Sequence, residues 1–323
     1  MKKLRGVVCA LVALVLFLCF PTGAALADTE YVYVGGYPVG ISIDVGGLLV
    51  ESVTGIETDY GTAYVDGIQR GDIIVEINGK TVSSAEEVTE GLGDEVTVKL
   101  LRNGETVMLN VKPITEAFTG KRRLGVKIKD KLYGVGTVTF VRGDKRYAAL
   151  GHEIYDNELN VHIPFAGGHV HACKLIGIKK GQKGEAGAIL AALVPDKIYG
   201  TVTCNNNFGI AGLYDHDFDT TDKLPLGTRD DVTVGSAQIR TTVNGSPEYF
   251  DIEIIKATKQ AGRKEKGIVF RVTDKRLLEL TGGVVRGMSG SPIIQNGKLV
   301  AAVTHVFLND FTKGYGVYAD CLN

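Results

Sequence analysis

From Tyr31 onward the chain is written in short runs rich in valine, isoleucine and threonine, separated by glycine-bearing turns. GISIDVGGLLVESV, GDIIVEINGKTV, DEVTVKLLRNGETVMLNVKP, DDVTVGSAQIRTTV and EYFDIEIIKAT are typical. Successive side chains of a strand point to opposite faces, so runs that alternate apolar and polar residues read as strands with one buried face. Asn78-Gly79 and Asn103-Gly104 suit tight turns whose central residues take positive φ, and the second joins two alternating strands as a hairpin. Gly143-Asp144 joins another pair, and its returning strand delivers Gly151-His152. With 42 glycines and no tryptophan, repeated short strands without long helices between them predict a mostly β fold that closes into barrels or sandwiches.

A length of 323 residues leaves room for two cores. The first 27 residues stand apart from both. Lys2, Lys3 and Arg5 precede an apolar run from Gly6 to Phe20, and Ala25-Leu26-Ala27 offers the small-x-small pattern read by signal peptidase. Residues 1–27 are therefore expected to be a signal peptide or a signal anchor that tethers the chain to a membrane. The run is shorter than the roughly 20 residues a spanning helix needs, which favours cleavage and export. A net charge of -1, with basic residues clustered only at Lys2-Lys3 and Lys121-Arg122-Arg123, argues against nucleic acid as a partner. Outside the leader, Cys173, Cys204 and Cys321 are odd in number and imply no disulfide framework.

The string Gly67-Ile68-Gln69-Arg70-Gly71-Asp72-Ile73-Ile74-Val75-Glu76-Ile77-Asn78-Gly79, between strand-like runs and before the short helical stretch SSAEEVTEGL, resembles a PDZ domain. The resemblance implies a PDZ domain over residues 28–115 that captures a peptide along a sheet edge, with a glycine-bearing loop holding the terminal carboxylate. Tyr37, Pro38, Val39, Gly40 and Ile41 are the candidate loop. Residues 113–123 read as a linker, and residues 116–323 as a second, strand-built domain.

That second domain carries the candidate chemistry. In RGMSGSPIIQNGKLVAAVTHVF, Gly287 and Gly290 let the backbone bend so that the amides of Gly287 and Ser289 face one hole. This resembles the nucleophile turn of chymotrypsin-like proteases and favours Ser289 over Ser291. A strand, not a helix, follows, which excludes the elbow of α/β-hydrolases. The base is sought among His152, His162, His169, His171, His216 and His305; His152 ends a strand beside Gly151. His169, His171 and Cys173 share a strand face, as a zinc site would, but no fourth ligand accompanies them. Thr304 and His305 follow the turn on its strand and are candidate walls of a substrate pocket. For the acid, Asp274 doubles as the cap of a helix expected from Asp274 to Leu280, with Asp196 and Asp251 as rivals.

ALGHEIYD, DIEI and VTDKRLLELTGGVVRGMSGSPIIQNGKLVAAVTHVFLNDFTKGYGV, behind a PDZ domain and a signal, closely resemble the stage IV sporulation protein B (SpoIVB) peptidase family. The resemblance implies a PDZ domain followed by a chymotrypsin-like double β-barrel, with His152, Asp274 and Ser289 as a serine-protease triad and no cofactor. It also implies an exported endopeptidase acting between forespore and mother-cell membranes. There it would cut the extracytoplasmic part of a membrane-bound regulator and so trigger intramembrane processing of a late sigma factor precursor. The PDZ domain would govern self-cleavage and substrate choice. An inactive peptide-binding scaffold and a metal-dependent hydrolase are the competing readings.

Overall fold

The computed structural model describes residues 29–89, 91–156, 159, 164–182 and 184–322. The expected leader, with Cys9 and Cys19, and His162 lie outside the described residues.

Two closed, six-stranded antiparallel barrels and a PDZ domain make up the described chain. Around the first barrel the order is Pro38–Val53, Val126–Arg142, Arg146–Ala149, Gly209–Tyr214, Ala188–Asn206 and Gly168–Lys179, which pairs back onto the first strand. Val39, Ile41, Val138, Tyr147 and Val170 fill it and are fully buried. The second barrel runs Gly235–Asn244, Ser246–Ala257, Ile268–Val272, Lys313–Tyr318, Lys298–Val306 and Pro292–Gln295, closed by pairing of Gln238 with Ile294 and of Ile239 with Ile293. Ile239, Phe250, Ile254, Phe270 and Ile293 form its core. The alternation in GSAQIRTTV and PEYFDIEI supplies these inward faces; Ser236, Gln238 and Asp251 between them meet solvent, while Arg240 and Thr242 are buried against the Val34–Gly36 backbone.

The PDZ domain packs Leu48, Val50, Ile74, Val98 and Leu100 against Val88 of the helix Ala85–Thr89. Asn103 and Gly104 take φ of 53° and 84°, as the hairpin expected there requires. Asp72, 1% exposed, accepts the Gln69 N–H at 2.7 Å and a two-pronged ion pair from Arg102 at 2.8 Å. The Gly-Asp of the PDZ string is thus a structural pin, since a buried carboxylate is tolerated only when its lone pairs are satisfied.

Two long strands run through both domains. Residues 38–44 of Pro38–Val53 pair within the first barrel, and residues 48–53 within the PDZ sheet. Val126–Arg142 does the same in reverse, and the PDZ core takes in Leu124, Val126 and Ile128. Gly46, at φ +67°, lies between the halves, opposite a register shift. Tyr37, Pro38, Val39, Gly40 and Ile41 are consequently no carboxylate loop. From Pro38 to Ile41 they pair as a barrel strand with Thr137 to Gly134, and Gly40 and Ile41 are paired on their other side as well, with His171 and Val170.

Candidate functional site

The turn from Arg286 to Ser291 is held by its carbonyls. Arg286 O accepts from Ile189 N at 2.8 Å, Gly287 O from the Thr137 hydroxyl at 2.8 Å, and Met288 O from Ser291 N at 2.9 Å. Ser289 O accepts from Thr137 N at 2.9 Å, and Gly290 O from the Thr139 hydroxyl at 2.7 Å. Most amides are engaged too: Arg286 N donates to Gly187 O, Met288 N to Val285 O, Gly290 N to Val303 O and Ser291 N to Met288 O. The amides of Gly287 and Ser289 have no hydrogen-bond partner among the described residues. Backbone donors are rarely left unpaired without cause. Gly287 and Gly290 hold φ of +95° and +93°, conformations that glycine reaches at little cost.

This turn rests on the loop that carries His152. A methyl carbon added to Gly290 would lie 2.4 Å from Leu150 N, and one added to Gly151 would lie 3.0 Å from the Thr304 side chain. His152 Nδ1 is 2.8 Å from the Glu153 carbonyl oxygen. A carbonyl only accepts, so the proton sits on Nδ1 and Nε2 keeps its lone pair, the tautomer a general base needs. Burial holds the His152 pKa below its ordinary value, against the opposing pull of Glu153 and Glu265. His305 faces it with ring centroids 5.2 Å apart, and burial, with a smaller contribution from His152, lowers its pKa to about 4. At neutral pH both rings are therefore uncharged.

Ser289 Oγ donates to the Thr304 carbonyl at 2.8 Å, so the nucleophile candidate has not yet turned to a base. Ser291 is fully buried and donates to Thr241 Oγ1 at 3.0 Å, which suits the turn-holding part expected of it. Thr304 is 2% exposed, and its hydroxyl is buried without a partner. As a pocket wall it is corrected: it offers the site its carbonyl, not its side chain. His305 is half-buried beside His152.

Among the described residues Asp274 makes no hydrogen bond to His152. Its carboxylate caps the helix Lys275–Thr281, accepting from Arg276 N at 2.8 Å and Leu277 N at 3.4 Å, and it pairs with the Arg276 side chain at 2.9 Å. Orienting His152 falls in this structure to the Glu153 carbonyl. The rivals do no better: Asp251 accepts from the Gln238 amide, and Asp196 is exposed. Asparagine caps a helix as well as aspartate does. Asp274→Asn is therefore expected to keep proteolytic kcat within about threefold of wild type, whereas a triad acid would show a loss of about four orders of magnitude. Steady-state kinetics of the purified variant decides between them.

His171 accepts at Nε2 from Ser42 Oγ at 2.8 Å while its Nδ1 donates to Pro195 O. This second Ser–His pair is 2% and 6% exposed, and Ser42 sits mid-strand between two paired neighbours, so no substrate reaches it. His216 packs on Tyr199. Among the described residues no group of three or more His, Cys, Asp or Glu side chains is placed to hold a metal ion.

The PDZ domain has a cleft of about 320 Å³ between its helix, through Ala85, Val88 and Thr89, and Gly125 with the strand residues Val126 and Ile128. Val126 pairs with Val53 on one side only, and the cleft lies along the helix. The sequence reading ended its linker at residue 123 and gave this run to the second domain, and so missed its part in the PDZ domain. The signal was Leu124-Gly125-Val126-Lys127-Ile128, a glycine-led alternating run just past the PDZ hairpin. Thr137 and Thr139 were missed as well, although threonines two apart share a strand face and can reach one turn.

A family model for the SpoIVB peptidase S55 matches residues 120–322, and one for the PDZ domain matches residues 32–111. Among solved structures, the chain is similar to the Rv3671c protease from M. tuberculosis in its active form, at 16% identity, over 58% of this chain and 70% of that chain, with a TM-score of 0.34. It is also similar to the HtrA-type protease AlgW with tripeptide, at 11% identity, 58% and 53% coverage and a TM-score of 0.32. A serine-to-alanine form of AlgW with decapeptide gives 10% identity, 64% and 52% coverage and a TM-score of 0.34. The chain thus spans about half the length of these AlgW chains. The first match takes in the His152 loop, the glycine turn and the whole second barrel, and on it the chain belongs to the SpoIVB peptidase S55 family, a serine endopeptidase that carries a PDZ domain.

Proposed function

We propose that Ser289 is the nucleophile, His152 the general base, and the amides of Gly287 and Ser289 the oxyanion donors. One observation carries this reading: in a turn whose carbonyls are all held, those two amides alone stay unpaired. Rotation of Ser289 about χ1 releases Thr304 O and brings Oγ toward His152 Nε2. Oγ then attacks the scissile carbonyl carbon, its proton passes to Nε2, and the carbonyl electrons move onto an oxygen bound by the two amides. Collapse expels the amine, which takes the proton from Nε2. Water repeats the sequence, with His152 again accepting a proton, to free the acid and restore Ser289.

The peptide ligand of the PDZ domain lies in the cleft between Ala85–Thr89 and Gly125–Ile128, adding as a strand to the open edge of Val126. The family supports an exported enzyme whose substrate is the extracytoplasmic part of a membrane-bound regulator of intramembrane proteolysis. Incubating the purified chain with such a domain should yield a discrete cleavage product, absent with a serine-directed inhibitor. A product that survives the inhibitor would overturn this reading.

The buried, uncharged His152 also sets the pH profile. Because its folded pKa lies below the ordinary histidine value of about 6.5, the base stays deprotonated in mildly acid solution. The acid limb of kcat/KM is expected below pH ~6.5. A limb above that value would show that burial does not govern the base. Stability follows the same sign. The unfolded chain binds the extra protons first, so the contribution of His152 and His305 is complete above pH ~6.5 and declines as pH falls, for His305 toward about pH 4.

A further inference from the structure

We propose that Ile189, on the first barrel, is a positioning residue that aims the Gly287 amide into the oxyanion hole. The inference rests on the Ser289 reading and concerns how the hole is assembled. Arg286 forms a parallel bridge with Ala188: its N–H donates to Gly187 O and its carbonyl accepts from Ile189 N, both at 2.8 Å. The carbonyl of Arg286 and the N–H of Gly287 belong to one planar trans peptide and point in opposite directions. Holding the carbonyl on Ile189 therefore turns the Gly287 N–H away from the Gly187–Ile189 strand and fixes its direction. If that peptide flipped, the carbonyl would take the place of the donor and repel an oxyanion.

The surrounding packing makes this contact a built one. A carbon added to Gly287 would fall 2.9 Å from Ile189 Cβ, and one added to Gly187 would fall 2.5 Å from Gly181 N and Lys179 O and 2.7 Å from Val285. Ile189 is 6% exposed and belongs to the core of the second barrel although its strand, Ala188–Asn206, belongs to the first. Gly181, at the other side of the same hairpin, donates to Thr281 O at 3.4 Å. The hairpin between Gly168–Lys179 and Ala188–Asn206 thus reaches across and grips the segment leading into the nucleophile turn. The first barrel thus holds the turn at three peptides: Ile189 fixes the one carrying Gly287 N–H, and Thr137 fixes the Gly287–Met288 and Ser289–Gly290 peptides.

The Ile189 N–H points away from the paired strand toward Arg286, so Ile189→Pro removes the Arg286 bond without removing a bond of the hairpin ladder. Kinetics on an unfolded protein substrate should show kcat reduced by about 10² to 10³, the usual loss for one oxyanion donor, with KM nearly unchanged. Affinity for a peptide aldehyde, which forms a tetrahedral adduct, should fall in parallel. Ile189→Val, which keeps the N–H, should retain wild-type kcat. Should the proline variant fail to give the wild-type circular dichroism spectrum, an ester in place of the Ile189 amide, introduced by semisynthesis, removes the same N–H and keeps the buried side chain; it should reproduce the kcat loss. Wild-type kcat in a folded chain that lacks the Ile189 N–H would overturn the inference while Ser289→Ala remains inactive. If Ser289→Ala is itself active, the underlying reading fails instead.

Discussion

Ser289→Ala is expected to lower kcat on the order of 10⁶-fold while Ser291→Ala stays within a few-fold of wild type. The two hydroxyls are one residue apart but differ in what they can do. Ser289 sits at a turn whose own amide is free, and its hydroxyl is held only by a carbonyl, from which a change of rotamer releases it. Ser291 is sealed in the second barrel, and its hydroxyl is committed to Thr241. Losing that bond costs about 1 kcal/mol of stability and leaves the chemistry intact. Thermal unfolding followed by circular dichroism should show the cost for Ser291→Ala, and initial rates should show its activity. The reverse pattern, an inactive but folded Ser291→Ala, would move the nucleophile.

Gly290→Ala is expected to abolish activity and to destabilise the chain by about 3 kcal/mol or more. Two effects add. The residue holds φ +93°, which an L side chain resists, and its new carbon would sit 2.0 Å from Thr137 O and 2.4 Å from Leu150 N. Both neighbours are backbone, so neither can swing aside. Relief requires the turn to lift from Thr137 and from the loop bearing His152, which separates nucleophile from base. Gly297→Ala is the matched control. That residue also has a positive φ, +73°, but nothing lies within 4 Å of the added carbon. It should cost about 1 kcal/mol and leave kcat unchanged. Equal effects at the two positions would mean that backbone strain, not the contact between turn and base loop, is what matters.

Local chemistry made much of this readable from sequence. Asn103-Gly104 closes the hairpin its φ preferences demand, Asp274 and Gly282 bound a helix as cap and left-handed stop, and the alternating runs close into barrels. The glycine turn pointed to Ser289 because the backbone there needs two positive φ values. What escaped the reading depends on register over long separations. Nothing local tells Tyr37–Ile41 that it will be enclosed by Gly134–Thr137 and His171, or tells Thr137 and Ile189 that they will meet the segment around Gly287. The acid shows a different limit. Asp274 satisfied both a cap pattern and a triad pattern, and the helix with Arg276 takes the carboxylate. A backbone carbonyl, which no residue type announces, holds His152.

We propose one nucleophile, Ser289, activated by His152 at a preformed hole. Treating the purified chain with a fluorophosphonate and mapping the adduct by peptide mass spectrometry tests it most directly. A single adduct on Ser289, lost in His152→Ala while the fold is retained, is the predicted result. An adduct on Ser291 or Ser42, or labelling of Ser289 that is indifferent to His152, would contradict the account.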